Sequence, residues 1–189
     1  MIKIITPVEI EPLTLAEVRQ HLRLPVDVVE DELLLGLIRT ARVYCENITR
    51  RALAEQALEM GLDNFPAGSK AIILPCPPLV SVTEIAYRDS TGVETILLPE
   101  TAYVVDTDRE PGRVMPVYGT CWPVFTPFTT SAVRIRFVAG YENLPATIRH
   151  AMLLLIGHWY ENREATGSVK DEVAFSVNAL LSVYRLECF

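Results

Sequence analysis

Apolar residues recur with helical spacing at both ends of the chain and with a spacing of two in the stretch between them. Near the start, Leu15, Val18 and Leu22 fall on one helical face, behind the Thr14 and Glu17 of a capping box. Pro25 ends that helix, because it has no backbone N–H to donate. Asp27 with Glu30 repeats the capping pattern. Leu33, Leu34, Leu37, Ile38, Ala41, Tyr44, Cys45 and Ile48 then draw an apolar stripe over about four turns. Arg39, Arg42, Glu46 and Asn47 fall away from it.

From about residue 54 to residue 139 the period changes. "ALEMGL" and "AIILP" read as short strands, and "SVTEIAYRDSTGVETILL" as two strands around a turn at Asp89–Gly92. "AYVVD", "GRVMPV" and "AVRIRFV" follow. In the last, Val133, Ile135 and Phe137 alternate with Arg134 and Arg136, the mark of a sheet with one wet face. Ten of the thirteen prolines lie between residues 66 and 145, where turns and edge strands tolerate them.

The helical pattern then resumes. Pro145 suits the first turn of a third helix, predicted from Ala146 to Glu164 and broken by Gly167 and Ser168. A last segment, "EVAFSVNALLSVYR", carries Val177, Leu180, Leu181 and Tyr184 at helical spacing. The predicted fold class is α+β. An N-terminal helix pair (residues 12–53) and a C-terminal pair (145–165 and 170–189) form a small bundle, with an antiparallel β lobe (54–139) inserted. All of it is read as a single domain, 1–189.

At 189 residues such a chain buries roughly 70% of its unfolded surface, so it needs neither disulfides nor metals to fold. Cys45, Cys76, Cys121 and Cys188 have no CxxC spacing and no nearby histidine, which suggests a reducing compartment and argues against zinc. The opening "MIKIITPVEIEPLT" lacks the long apolar core of a signal peptide, and no stretch reaches the ~18 apolar residues of a membrane span. A soluble protein is expected, with no membrane partner. The formal charge of −7 argues against a surface that grips duplex DNA or RNA.

Little chemistry stands out. His158 and Glu161 are three apart on the third helix, as in carboxylate-bridged metal sites, but the order is reversed and there is no second copy. His150 is eight residues from His158, too far to share a metal along one helix. A histidine hydrogen-bonded to backbone or to Glu161 is the preferred reading. His21, beside Arg19 and Arg23, reads as part of a solvated face. No GxSxG, GxxxxGK[ST] or GxGxxG motif occurs, and Asp106 with Asp108 in "VVDTDREPGR" reads as a turn. No catalytic, metal or cofactor residues are assigned, and no enzyme is expected.

The third helix is more informative. Between Ala151 and Tyr160 every residue except Gly157 and His158 is apolar or aromatic, so apolar surface covers all sides. Either the chain surrounds this helix itself, or a neighbouring subunit covers part of it. Trp159 and Tyr160, each an apolar ring with a polar tip, suit such a boundary; Glu161, Arg163 and Glu164 mark the return to water.

The ordered set "TLAEVRQHLRL", "DELLLGLIRTARVYCENITRRAL", "LPCPPLVSVTEIAYRDSTGVE", "YVVDTDREPGRV", "WPVF", "VRIRFVAGYENLPATIRHAMLLLIGHWYENREA" and "FSVNALLSVYR" resembles the head–tail connector (adaptor, head-completion) family of tailed bacteriophages, also found in prophages and phage-derived particles. The resemblance runs from about Pro7 to Arg185. Its strongest elements are "AGY" followed by "LLLIGHWYENRE", and "PPLVSV". It implies a virion part at the head–tail junction, made in the host cytoplasm. As the resemblance has it, the protein forms a homo-oligomeric ring, dodecameric in the virion, under the portal protein after DNA packaging. The ring extends the channel and carries the stopper or tail-completion protein.

DNA would pass through without sequence-specific binding, which suits an acidic chain, since a basic lining would hold phosphate. The family's C-terminal helical segment docks on the portal. By that likeness Phe175, Val177, Leu180, Leu181 and Tyr184 join Trp159 and Tyr160 as candidate subunit or portal contacts. The family has a proline before this phenylalanine; here it is Ala174, so the shape of that turn does not carry over. Two alternatives stand beside the adaptor. One is a tail-completion or DNA-packaging accessory protein of the same machine; the other is a metal-dependent enzyme using His158 and Glu161.

Overall fold

The computed structural model describes residues 2–25, 30–162 and 171–186. Asp27, Arg163, Glu164, Gly167, Ser168 and Cys188, on which parts of the sequence reading rest, lie outside the described residues. The chain divides into two compact units. Met1–Glu9 and Glu55–Gly140 form one; Ile10–Ala54 and Tyr141–Phe189 form the other.

The first unit is built of strands: β1 (Ile2–Thr6), β2 (Gln56–Leu62), β3 (Ile72–Ile73), β4 (Leu79–Arg88), β5 (Glu94–Leu97), β6 (Tyr103–Asp106), β7 (Arg113–Pro116) and β8 (Val133–Ala139). They pair as a five-stranded antiparallel sheet, β1-β2-β8-β4-β5, and a three-stranded one, β3-β7-β6. β8 lies at the centre of the larger sheet and keeps the predicted alternation. Val133, Ile135 and Phe137 are fully buried, while Arg134 and Arg136 are half-exposed.

On the wet face Arg136 Nε meets Glu59 of β2 at 2.8 Å, and Arg134 Nη2 meets Glu94 of β5 at 2.6 Å. Such partly exposed pairs contribute little to stability, because solvent screens them. Their larger effect is on register, because a one-residue slip would turn both arginines into the core. The Asp89–Gly92 turn joins β4 to β5, with the Gly92 amide donating to the Asp89 carbonyl at 2.9 Å. Gly112 leaves the room that a side chain would fill: a Cβ there would stand 2.5 Å from that of Leu79.

Sequence reading missed β1. No element is predicted before Thr14, whereas residues 2–6 form an edge strand paired to β2.

The second unit is a bundle of α1 (Leu15–Leu22), α2 (Asp31–Thr49), α3 (Ala146–Glu161) and α4 (Asp171–Ser182). The capping box of α1 is present in both directions: Glu17 N donates to Thr14 Oγ1 at 3.3 Å and Thr14 N donates to Glu17 Oε2 at 2.8 Å. α2 starts at Asp31 with Glu30 as N-cap, later than the Asp27 pattern suggests, and the Glu30 side chain makes no capping hydrogen bond. Leu34, Ile38, Ala41 and Cys45 form its buried stripe.

Arg42 and Glu46 lie off that stripe as predicted, yet they are largely covered. Glu11 folds over Arg42, which donates to Glu11 Oε2 at 2.8 Å and to Glu46 Oε2 at 3.0 Å. Pro145 is the N-cap of α3, one residue before the first turn where the sequence puts it, and α3 ends at Glu161. Ala174 lies within α4, so this helix runs through the position where the resembled family has proline.

α3 is the hub of the bundle. Ile148, Met152, Leu155 and Ile156 are buried with core residues of α1, α2 and α4. Leu153, Leu154, Trp159 and Tyr160 pack partly buried against the same cluster. No residue from 151 to 160 is classed as exposed, so most of the all-round apolar surface is covered within one chain. The fold class is α+β. Among the described residues no helix is long and apolar enough to cross a membrane.

Candidate functional site

The C-terminal end of α3 carries the residues the sequence singles out. Trp159 packs edge-on against Tyr44 of α2, ring centroids 5.9 Å apart. Tyr160 Oη donates to Glu30 Oε2 at 2.6 Å, which satisfies its polar tip. Both rings remain partly exposed. Around them α2 shows Leu33, Val43 and Tyr44 to solvent, and a shallow groove of about 400 Å³ runs along Arg39, Thr40, Val43, Tyr44 and Asn47.

α4 sorts its candidates by direction. Val177 and Leu181, one turn apart, point inward and are fully buried. In the free chain both are part of the bundle core, so, unlike the other α4 candidates, they present no surface to solvent. Leu180 and Tyr184 are half-buried against the same cluster. Phe175 is 75% exposed, and Ala179 and Val183 continue its outward line. Sequence reasoning missed Val183 and Val43, and it places Leu33 and Tyr44 in the apolar stripe of α2, where the structure leaves both exposed. The signal for Val183 was the second apolar row, 175–179–183, offset from the inward 177–181.

The end of α4 is tied down. Arg51, itself nearly buried, donates from Nε to the Tyr184 carbonyl at 2.7 Å and from Nη1 to Tyr141 Oη at 3.1 Å. The Leu186 amide donates to the Thr49 carbonyl at 3.1 Å. The apolar outer face of α4 is therefore held at its C-terminal end by the last turn of α2.

The residues named for a possible reaction do not come together. Asn162 Nδ2 donates to the His158 carbonyl at 2.8 Å and lies 3.3 Å from His158 Nδ1; Glu161 is exposed. The expectation is a buried histidine bonded to backbone or to Glu161; the His158 ring is instead partly exposed, with the Asn162 side-chain amide as its neighbour. Among the described residues no three His, Cys, Asp or Glu side chains converge to hold a metal. A cleft of about 390 Å³ beside Gly157 is lined by His21, Leu22, Arg23, Tyr160 and Glu161, with no serine, threonine or cysteine among them.

The shifted ionisations have structural causes. Burial pushes the Cys45 thiol up to about 12 and makes it inert. Burial also raises the Glu46 carboxyl, opposed by the Leu53 amide and by Arg42. Asp106, the last residue of β6 rather than part of the turn, is held low by its cross-strand partner Arg113 on β7, which donates to it at 2.8 Å.

The sheet unit adds two exposed apolar features. One is β1, with Ile2, Ile4 and Ile5 showing to solvent. The other is the segment between β7 and β8, where Tyr118 and Val124 are fully exposed on either side of a buried Trp122. Trp122 stacks on Phe65 at 5.0 Å and donates from Nε1 to the Lys70 carbonyl at 2.8 Å, so the segment is pinned.

No protein-family model matches the chain, and no curated protein matches it. Solved structures do. A chain in the neck of an empty gene transfer agent particle, computed with C6 symmetry, is 26% identical with a TM-score of 0.81. One in the neck of the native particle, computed with C12 symmetry, is 27% identical with a TM-score of 0.79. One in the virion of the native particle is 27% identical with a TM-score of 0.81. Each match covers 100% of this chain and 97% of the other. From end to end, the fold is one found in the neck of a gene transfer agent particle.

Proposed function

We propose that this chain is a structural neck component of a phage or phage-derived particle: an adaptor whose copies close into a ring under the portal and extend the DNA channel. The observation that carries this reading is the end-to-end match to chains from gene transfer agent necks and virion, with no large segment of either chain left over. C6 and C12 symmetry in those necks supports a rotationally symmetric ring, in which each subunit meets its neighbours through two different surfaces.

The chain's own features fit the role. The −7 charge disfavours retention of DNA by counterion release. The exposed line of Phe175 on α4 and Val183 just after it is suited to docking on the portal, and the half-buried Trp159, Tyr160, Leu180 and Tyr184 would set its orientation. The stopper or tail-completion protein then attaches to the ring's far side. The work of such a protein is binding; no residue here is assigned to catalysis. Co-sedimentation with purified portal is the test. A stoichiometric complex supports the adaptor role, and failure to bind portal under any condition overturns it.

A further inference from the structure

The five-stranded sheet ends at β1, and its apolar rows do not stop where the chain's own cover stops. Residues directly paired across strands share a face of the sheet. Ile2 is paired with Met60, Met60 with Ile135, and Ile135 with Ile85. In the next row Ile4 is paired with Leu58, Leu58 with Phe137, and Phe137 with Val82. Ile135 and Phe137 are fully buried, yet the same rows reach β1 with Ile2 46% and Ile4 58% exposed.

β1 pairs only with β2 among the described residues, so its outer backbone edge is open. An open apolar edge is a template for another strand. Lys3 on the opposite face, and the register break between Ile4 and Thr6, restrict the template to a few residues. That disfavours indiscriminate pairing and leaves room for a specific one.

We propose that β1 is a seam at which a second copy of this chain adds a strand to the sheet and covers Ile2 and Ile4. This rests on the neck reading, and the reading supplies the occupant. In a closed ring every subunit carries this edge, and a second copy is the partner present once for each. The far end of the sheet, β5, also pairs on one side only among the described residues, and shows Ile96 on the opposite, Arg134-bearing face. One sheet thus offers two unlike edges, as head-to-tail assembly requires and a two-fold dimer does not.

The test uses the full chain, with assembly followed by sedimentation, alone and on purified portal, and with amide exchange read at residues 2–6. The β1 amides should exchange about tenfold more slowly in the ring than in the monomer. Ile2→Lys/Ile4→Lys should remain a folded monomer whose ring population falls by about tenfold, and the milder Ile2→Thr/Ile4→Thr should fall between it and wild type. Normal ring formation by the lysine variant overturns the seam, as do β1 amides that exchange equally fast in ring and monomer. Protection that appears only on addition of a different protein also overturns it. A wild-type chain that neither forms rings nor binds portal overturns the neck reading and the seam together.

Discussion

The Trp159 indole stands edge-on to the Tyr44 phenol, planes at 85° and centroids 5.9 Å apart, joining the end of α3 to the middle of α2. Because Trp159 is only partly buried, Trp159→Ala should cost about 2 kcal/mol rather than the ~3–5 of a fully enclosed aromatic. Urea unfolding of the monomer measures this. An unchanged midpoint would show that the pair contributes nothing to the bundle.

Phe175 and Leu181 are on one helix and should behave oppositely. Phe175→Ser removes an exposed ring and should leave monomer stability within about 0.5 kcal/mol, while portal binding weakens. Leu181→Ala opens a cavity in the core and should cost about 2–5 kcal/mol. Paired unfolding and portal-binding measurements separate the two. Normal portal binding by Phe175→Ser would remove the outer face of α4 from the interface.

Glu17 gives the bundle an acid sensitivity. The Thr14 amide holds its carboxyl below the usual range, helped by the Thr14 hydroxyl and Arg149 and opposed by slight burial. A lowered folded-state pKa stabilises the fold at pH above the unfolded value of about 4.3, and that contribution is lost as pH falls through the folded value. Glu17→Gln should therefore be less stable than wild type at neutral pH, with the gap closing below about pH 4. Urea midpoints across pH 3–7 read this out; a gap that widens on acidification would contradict the assignment.

Local chemistry was legible and long-range pairing was not. The Thr14–Glu17 box, the Leu34–Ile38–Ala41–Cys45 stripe and the β8 alternation are written within a few residues of sequence, and the structure contains all three. β1 escaped because "IKIIT" has no clean alternation; what makes it a strand is β2, more than fifty residues away. Arg42 is covered because Glu11, 31 residues earlier, closes over it. Val177 and Leu181 could not be told from Phe175 because α4 is apolar on two faces, and only the packing of α3 chooses between them.

Electron microscopy of the purified chain mixed with purified portal tests the central claim most directly. The account predicts closed rings of this chain seated coaxially on the portal, with the same rotational order in every particle. A chain that stays a solitary, self-contained molecule beside bare portals would contradict it.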